Sequence, residues 1–252
     1  MSGHSKWAKI KRKKAGADAA RGRLFTKLIR EITIAARHGG GDPNANPRLR
    51  TAIDEARAAN MPNENIERAI KRGTGQLNDG QALEEVVYEG YGPNGVAILI
   101  EAVTDNRNRT TSEIKHILSR HNGNLGTQGS VAWQFQTRGI ITIDAKKYDE
   151  DTILGLALDG GAIDVKNEDG SYQVVTTPET FHKIREIFKN NNIEVLSSEI
   201  TKIPQNTVPL NEKDAEKVLK LFEALDELED VQHVYGNFDI PDEVMEKISS
   251  QS

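Results

Sequence analysis

The opening run Gly3-His4-Ser5-Lys6-Trp7-Ala8-Lys9-Ile10-Lys11-Arg12-Lys13-Lys14 sets one indole among six Lys and Arg residues. Lys and Arg displace counterions from a phosphate backbone, and an indole among them can stack on an unpaired base or pack against a sugar. The alternative is a solvated tail whose Trp7 caps the helices that follow. A second basic cluster, Asp105-Asn106-Arg107-Asn108-Arg109-Thr110, falls between an expected strand and an expected helix. Capping explains its Asn and Thr residues, but two Arg at a helix amino terminus oppose the helix dipole, which favours a contact role for them.

Other residues that could do chemistry fall short of the spacing it needs. Gly90-Tyr91-Gly92-Pro93-Asn94-Gly95 spells GxGxxG, yet a strand follows rather than a helix, so no ring of amides is available for a phosphate. A hairpin turn is expected there. His116 and His121 are five apart and miss the i, i+4 placement of a helical metal pair. Without Cys there is no thiol nucleophile, disulfide, iron–sulfur cluster or thiolate zinc finger. No Ser-His-Asp pattern, P-loop or HExxH occurs. We therefore expect no catalytic residue, metal site or small-molecule cofactor. The Gly-rich segment from Gly123 to Ser130 reads equally as a connection or as a loop whose amides meet a phosphate or a partner.

The elements that must position these residues divide the chain by charge. Residues 1–73 hold 17 Lys and Arg against 7 Asp and Glu, and the rest of the chain holds 16 against 31, which the formal net charge of −5 conceals. Such asymmetry suits one part that meets a polyanion and another that stays off it, or a basic domain that docks on acidic ones. Leu24, Leu28 and Ile32 recur at helical spacing up to Gly39-Gly40-Gly41. Pro47 and Pro62 start two further helices, the last ending at Gly73. The segment before Leu24 has little core material and is expected to be mobile when free.

Beyond a Gly-rich linker, strands are expected at 85–91, 96–103 and 131–135, with a helix over 110–120 opened by a Thr110–Glu113 capping box. From Gly139 the order strand, helix, strand, strand, helix, strand is that of ferredoxin-like domains. A helix over 211–228 and a strand over 231–235 then have partners only in the sheet begun at Glu85. The fold class expected is α+β: a basic three-helix domain (1–76), an α/β domain (81–136 plus 206–240), a second α/β domain inserted in it (137–205), and a polar tail (241–252). Both α/β domains are expected to be ferredoxin-like. No segment is long and apolar enough to span a membrane, the longest plain apolar run being Val96–Ile100. A cytoplasmic protein is expected.

The segments GHSKWAKIKRKK, MPNENIERAIKRG, EGYGPNGVAILIEAVTDNRNRT and GNLGTQGSVAWQF, in this order, resemble the YebC/PmpR family, and the resemblance runs essentially end to end. It implies a three-domain fold and a non-catalytic role in gene expression. Bacterial members are described as probable DNA-binding transcriptional regulators. Mitochondrial translational activators of cytochrome c oxidase resemble them and act on ribosomes, and bacterial relatives are implicated in relieving ribosomes stalled on proline-rich sequences.

Residues and resemblance together give an expected contact set for nucleic acid, either ribosomal RNA or duplex DNA, with the ribosome as partner. The set is His4, Lys6, Trp7, Lys9, Lys11, Arg12, Lys13, Lys14, Arg21, Arg23, Lys27, Arg107 and Arg109.

Overall fold

The structure is a computed structural model that describes residues 18–77, 82–168, 170–241, 243, 244 and 247. Three helices come first: α1 (Asp18–Gly39), α2 (Pro47–Ala58) and α3 (Asn63–Gly73). Helix α1 is already formed at Asp18, six residues before the apolar period begins. Ala and Arg, which make up four of those six residues, are strong helix formers. Asn46 caps α2, its Oδ1 accepting from the Leu49 amide at 3.1 Å, while its Nδ2 donates to the Ala35 and Gly40 carbonyls at 2.8 and 2.9 Å. One side chain thus ends one helix and starts the next.

The helices close on Leu28, Ile32, Leu49, Ile53 and Ile66, with Ala35, Ala36, Ala52, Ala56 and Ala69 between them. These alanines permit close approach, and Gly73 permits more: a Cβ there would collide with the Thr33 carbonyl oxygen of α1.

Two compact units follow from the way the remaining chain folds back, one over residues 133–207 and the other joining the helices to 82–132 and to the chain from 208 onward. In the latter, β1 (Glu84–Tyr91) and β2 (Ala97–Thr104) pair antiparallel across the Pro93–Gly95 turn. Asn94 (φ 58°) and Gly95 (φ 72°) take the left-handed conformation there, so the GxGxxG string is a hairpin. β3 (Asn124–Leu125) and β9 (Val231–Gly236) complete an antiparallel sheet of order β3-β1-β2-β9.

Helices α4 (Arg107–Arg120) and α7 (Glu212–Asp226) pack on one face of this sheet, burying Ile98, Ile100, Ile114, Leu118, Val218 and Phe222. Four antiparallel strands under two helices form a two-layer α/β domain, which this chain enters through a hairpin. A short parallel pair, β8 (Val208–Pro209) with β10 (Phe238–Asp239), borders it.

The 133–207 unit runs β4 (Phe135–Asp144), α5 (Glu150–Gly160), β5 (Asp164–Glu168), β6 (Ser171–Thr176), α6 (Pro178–Asn190) and β7 (Val195–Pro204). Its sheet order β5-β6-β4-β7, all antiparallel, is the ferredoxin-like arrangement. Ile141, Ile143, Val174, Phe181, Ile184 and Phe188 form its core.

Two sequence expectations are corrected. The separate strands at 131–135 and 140–143 are replaced by a short 3-10 turn, Ala132–Gln134, and one continuous β4. Gly139 is no break; a Cβ there would strike Thr176 Oγ1 and Phe181, so glycine is what lets β4 lie under α6. Helix α4 starts at Arg107, capped by Asn106, whose Oδ1 accepts from the Arg109 amide at 3.1 Å. Thr110 is therefore not a cap but a buried residue of the first turn.

Candidate nucleic-acid interface

The cations of the helical domain fall into two sets. On one side they reach the acidic residues of the adjoining α/β domain. Lys27 is buried, its ammonium donating to the Asp226 carbonyl at 2.6 Å and to its carboxylate at 3.1 Å. Arg30 meets Asp230 Oδ1 at 2.5 Å and the Val103 carbonyl at 3.3 Å. Arg48 donates to Glu31 at 2.7 and 3.1 Å and to Glu85 at 2.6 Å, His38 lies 3.2 Å from Glu85, and Arg37 donates to the Leu83 carbonyl.

Asp230 is the hub of this docking. Its side chain is 4% exposed, and its Oδ2 accepts from Arg109 at 2.7 Å, Thr110 at 2.5 Å and Thr104 at 3.2 Å. Burial alone would raise its carboxyl. The hydrogen bonds from Arg109 and Thr110 and the Arg30 charge outweigh burial and hold it below the ordinary aspartate value. Arg109 also meets Asp105 at 2.8 Å, four residues before it. Two carboxylates thus explain why an Arg is tolerated in the first turn of α4, where the dipole disfavours it.

Elsewhere on α2 and α3 stand Arg50, Arg57 and Lys71, all exposed and without an ion pair among the described residues. Arg50 and Arg57 are seven apart on α2 and so share a face. Arg21 is exposed with its guanidinium 5.4 Å from the Phe25 ring centroid, and Arg23 stands 3.9 Å from Glu227.

Of the expected contacts, His4, Lys6, Trp7, Lys9, Lys11, Arg12, Lys13 and Lys14 lie outside the described residues. Arg107 is exposed at the first position of α4. Lys27 and Arg109 have their charges met within the molecule. Sequence periodicity does not reveal the hub, because Asp230 comes 200 residues after Arg30. Only the Asp105–Arg109 pair, four residues apart, is local in the sequence, and there Arg109 was expected to serve as a contact residue.

The Gly-rich loop has its own internal anion. Glu89 of β1 is buried and accepts from the amides of Gly129 (2.6 Å), Val131 (2.7 Å) and Ala132 (2.8 Å). Burial would raise this carboxyl, but the three amide donors lower it below the ordinary glutamate value. Tyr91 adds a hydroxyl donated to the Ser130 carbonyl at 3.2 Å. These amides are satisfied by a carboxylate of the same chain, which makes the loop a fixed turn and leaves its side chains, Thr127 and Gln128, exposed.

A basic helical domain, locked by ion pairs onto an α/β domain that carries a second α/β domain as an insertion, defines a multidomain α+β protein with one cationic module. The chain belongs to the TACO1/YebC family. The model of the TACO1/YebC N-terminal domain matches residues 5–76, and that of the second and third domain matches residues 83–238.

A probable transcriptional regulatory protein of Dictyoglomus turgidum is 55% identical over 250 residues, covering 99% of this chain and all of that protein. One of Syntrophus aciditrophicus is 52% identical over the same length, with 99% and 100% covered. Among solved structures, a conserved hypothetical protein, Aq1575, from Aquifex aeolicus superposes with a TM-score of 0.79 at 49% identity, covering 90% of this chain and 94% of that one.

Proposed function

We propose that the protein is a non-catalytic, nucleic-acid-binding regulator of gene expression that works on the ribosome, relieving stalls on proline-rich sequences. The observation that carries the nucleic-acid part is the outward set Arg50, Arg57 and Lys71. Docking uses Lys27, Arg30 and Arg48, yet Arg50, Arg57 and Lys71 remain exposed and without an ion pair among the described residues, and the cations of residues 6–14 precede them in the chain. Exposed cations without an ion pair supply the counterion release that drives binding to a phosphate backbone. Arg107 adds an exposed cation on the α/β domain, whereas Lys27 and Arg109 serve the fold in this reading. The resemblance to translational activators supports the ribosome as the site of action, and Trp7 suits the unpaired bases of folded RNA.

A second reading, a transcriptional regulator on duplex DNA, is favoured by the names of the relatives. Cosedimentation with ribosomes, set against footprinting on genomic DNA at the same salt, separates the two. Ribosome binding without a DNA footprint supports the proposal, and the reverse supports transcriptional regulation. Trp7→Ala sharpens the result. Loss of one stacked base costs about 1–3 kcal/mol and releases no counterions, so RNA binding should weaken with little change in its salt dependence.

A further inference from the structure

Helix α4 belongs to the acidic part of the chain, yet residues 107–121 contain four Lys and Arg against one acid, Glu113. Its inner face is accounted for: Thr110, Ile114 and Leu118 are buried against the sheet, and Arg109 is held by Asp105 and Asp230. Its outer face is not. At 100° per residue, Asn108, Ser112, Lys115, His116, Ser119 and Arg120 fall on one solvent arc, with Ser112 and Ser119 near its centre and the cations towards its edges. All six are exposed, and Lys115 and Arg120 make no ion pair among the described residues. A basic stripe with short hydroxyl side chains along its middle lets a polyanion lie close.

We propose that the outer face of α4 is a second nucleic-acid contact, fitted to the minor groove of a double-helical RNA segment; this rests on the nucleic-acid reading above. Two observations favour RNA over B-DNA. First, α4 does not project. It lies in one layer beside α7 on the same sheet, and packed helices sit about 8–10 Å apart, so the pair is broader than the roughly 12 Å major groove of B-DNA that a reading helix must enter. The wide, shallow minor groove of A-form RNA accepts a flat surface. Second, the hydroxyls suit the 2′-OH that lines that groove. Ser112 Oγ donates to the Asn108 carbonyl at 2.9 Å, which leaves its lone pairs to accept from a 2′-OH, while Lys115 and Arg120 reach the flanking phosphates. A protein holding folded RNA through both the helical domain and α4 also gains effective concentration for its second contact.

The test uses the full chain, an RNA hairpin with a stem of about 16 base pairs, a DNA hairpin of the same sequence, and the RNA hairpin with 2′-O-methyl groups in its stem. Lys115→Glu with Arg120→Glu should weaken RNA-hairpin binding by about 10- to 50-fold near 0.1 M salt. It should also flatten the slope of log affinity against log salt by about 1.4 to 1.8 units. Lys115→Arg with Arg120→Lys should restore both, and 2′-O-methylation should weaken the wild type but not the Glu variant. DNA-hairpin affinity should be the same for the wild type and the Glu variant.

Because both residues are exposed, an unchanged melting temperature checks that the variants fold. RNA binding by the Glu variant equal to wild type would overturn the α4 proposal and leave the helical-domain reading standing. Equal losses on RNA and DNA would overturn the choice of RNA. A wild-type protein that binds neither hairpin would overturn both the proposal and the reading beneath it.

Discussion

Arg30 and Arg50 belong to the same basic domain and serve opposite ends. Arg30, with Lys27 and Arg48, turns towards Asp230, Asp226 and Glu85 and holds the helices to the α/β domain. Arg50, with Arg57 and Lys71, faces solvent without a partner among the described residues. The docking interpretation of the charge asymmetry therefore describes one set of these cations, and the polyanion interpretation is proposed for the other. A net charge counts both sets alike. Only the position of the acids distinguishes a cation that stabilises the fold from one left free for phosphate.

The division between docking and outward cations fails most visibly if the amino-terminal cations matter to the fold rather than to binding. Changing Lys11, Arg12, Lys13 and Lys14 together to Glu should flatten the salt slope of duplex-DNA binding by about 3 to 4 units, measured by titration at several salt concentrations. The urea unfolding curve should stay where it is. A shifted curve with an unchanged slope would place those residues in the docking set.

The inward set is tested at its hub. Asp230→Ala leaves Arg30 and Arg109 facing a buried gap, and removal of one partner from a buried pair costs on the order of 3 kcal/mol, read as a loss of unfolding free energy in urea. The pH dependence has a definite sign. Because the folded carboxyl is depressed, its contribution is complete above the ordinary aspartate value, about 3.9, and is lost as pH falls through the lower folded value. The stability gap between wild type and Asp230→Ala should thus be constant near neutrality and close only in acid. A gap that closed on the alkaline side would contradict the assignment.

Most of the fold was legible because its signals are local. Helical periodicity marks α1 from Leu24, Pro47 and Pro62 mark two starts, and the strand and helix order after Gly139 specifies the ferredoxin-like unit. The errors arose where a residue's reason is distant. Gly139 looks like a strand break until Thr176 and Phe181 are seen above it, and Thr110 looks like a cap until its hydroxyl is found on Asp230. The candidate site shows the same division. The basic composition of the first 73 residues is plain in the sequence, but which cations remain available depends on acids up to 200 residues away.

A smaller effect is expected at Glu89. Glu89→Gln offers amide hydrogens to a loop that needs an acceptor, so roughly 1–3 kcal/mol of local stability should be lost. Faster hydrogen exchange at the Gly129, Val131 and Ala132 amides should report it, with the helical domain unaffected. The smallest effect belongs to Arg48→Ala. Its partners Glu31 and Glu85 are partly exposed, and such ion pairs are worth about 0–1 kcal/mol, so thermal unfolding should shift little and nucleic-acid affinity not at all.

The role proposed for the outward cations is to serve nucleic acid and not the fold. Its most direct test is the triple variant Arg50→Gln, Arg57→Gln and Lys71→Gln in the full chain, titrated with a structured RNA at several salt concentrations and melted in parallel. A slope flatter by about 2 to 3 units and a melting temperature within experimental error of wild type are expected. An unchanged slope together with a lowered melting temperature would contradict it.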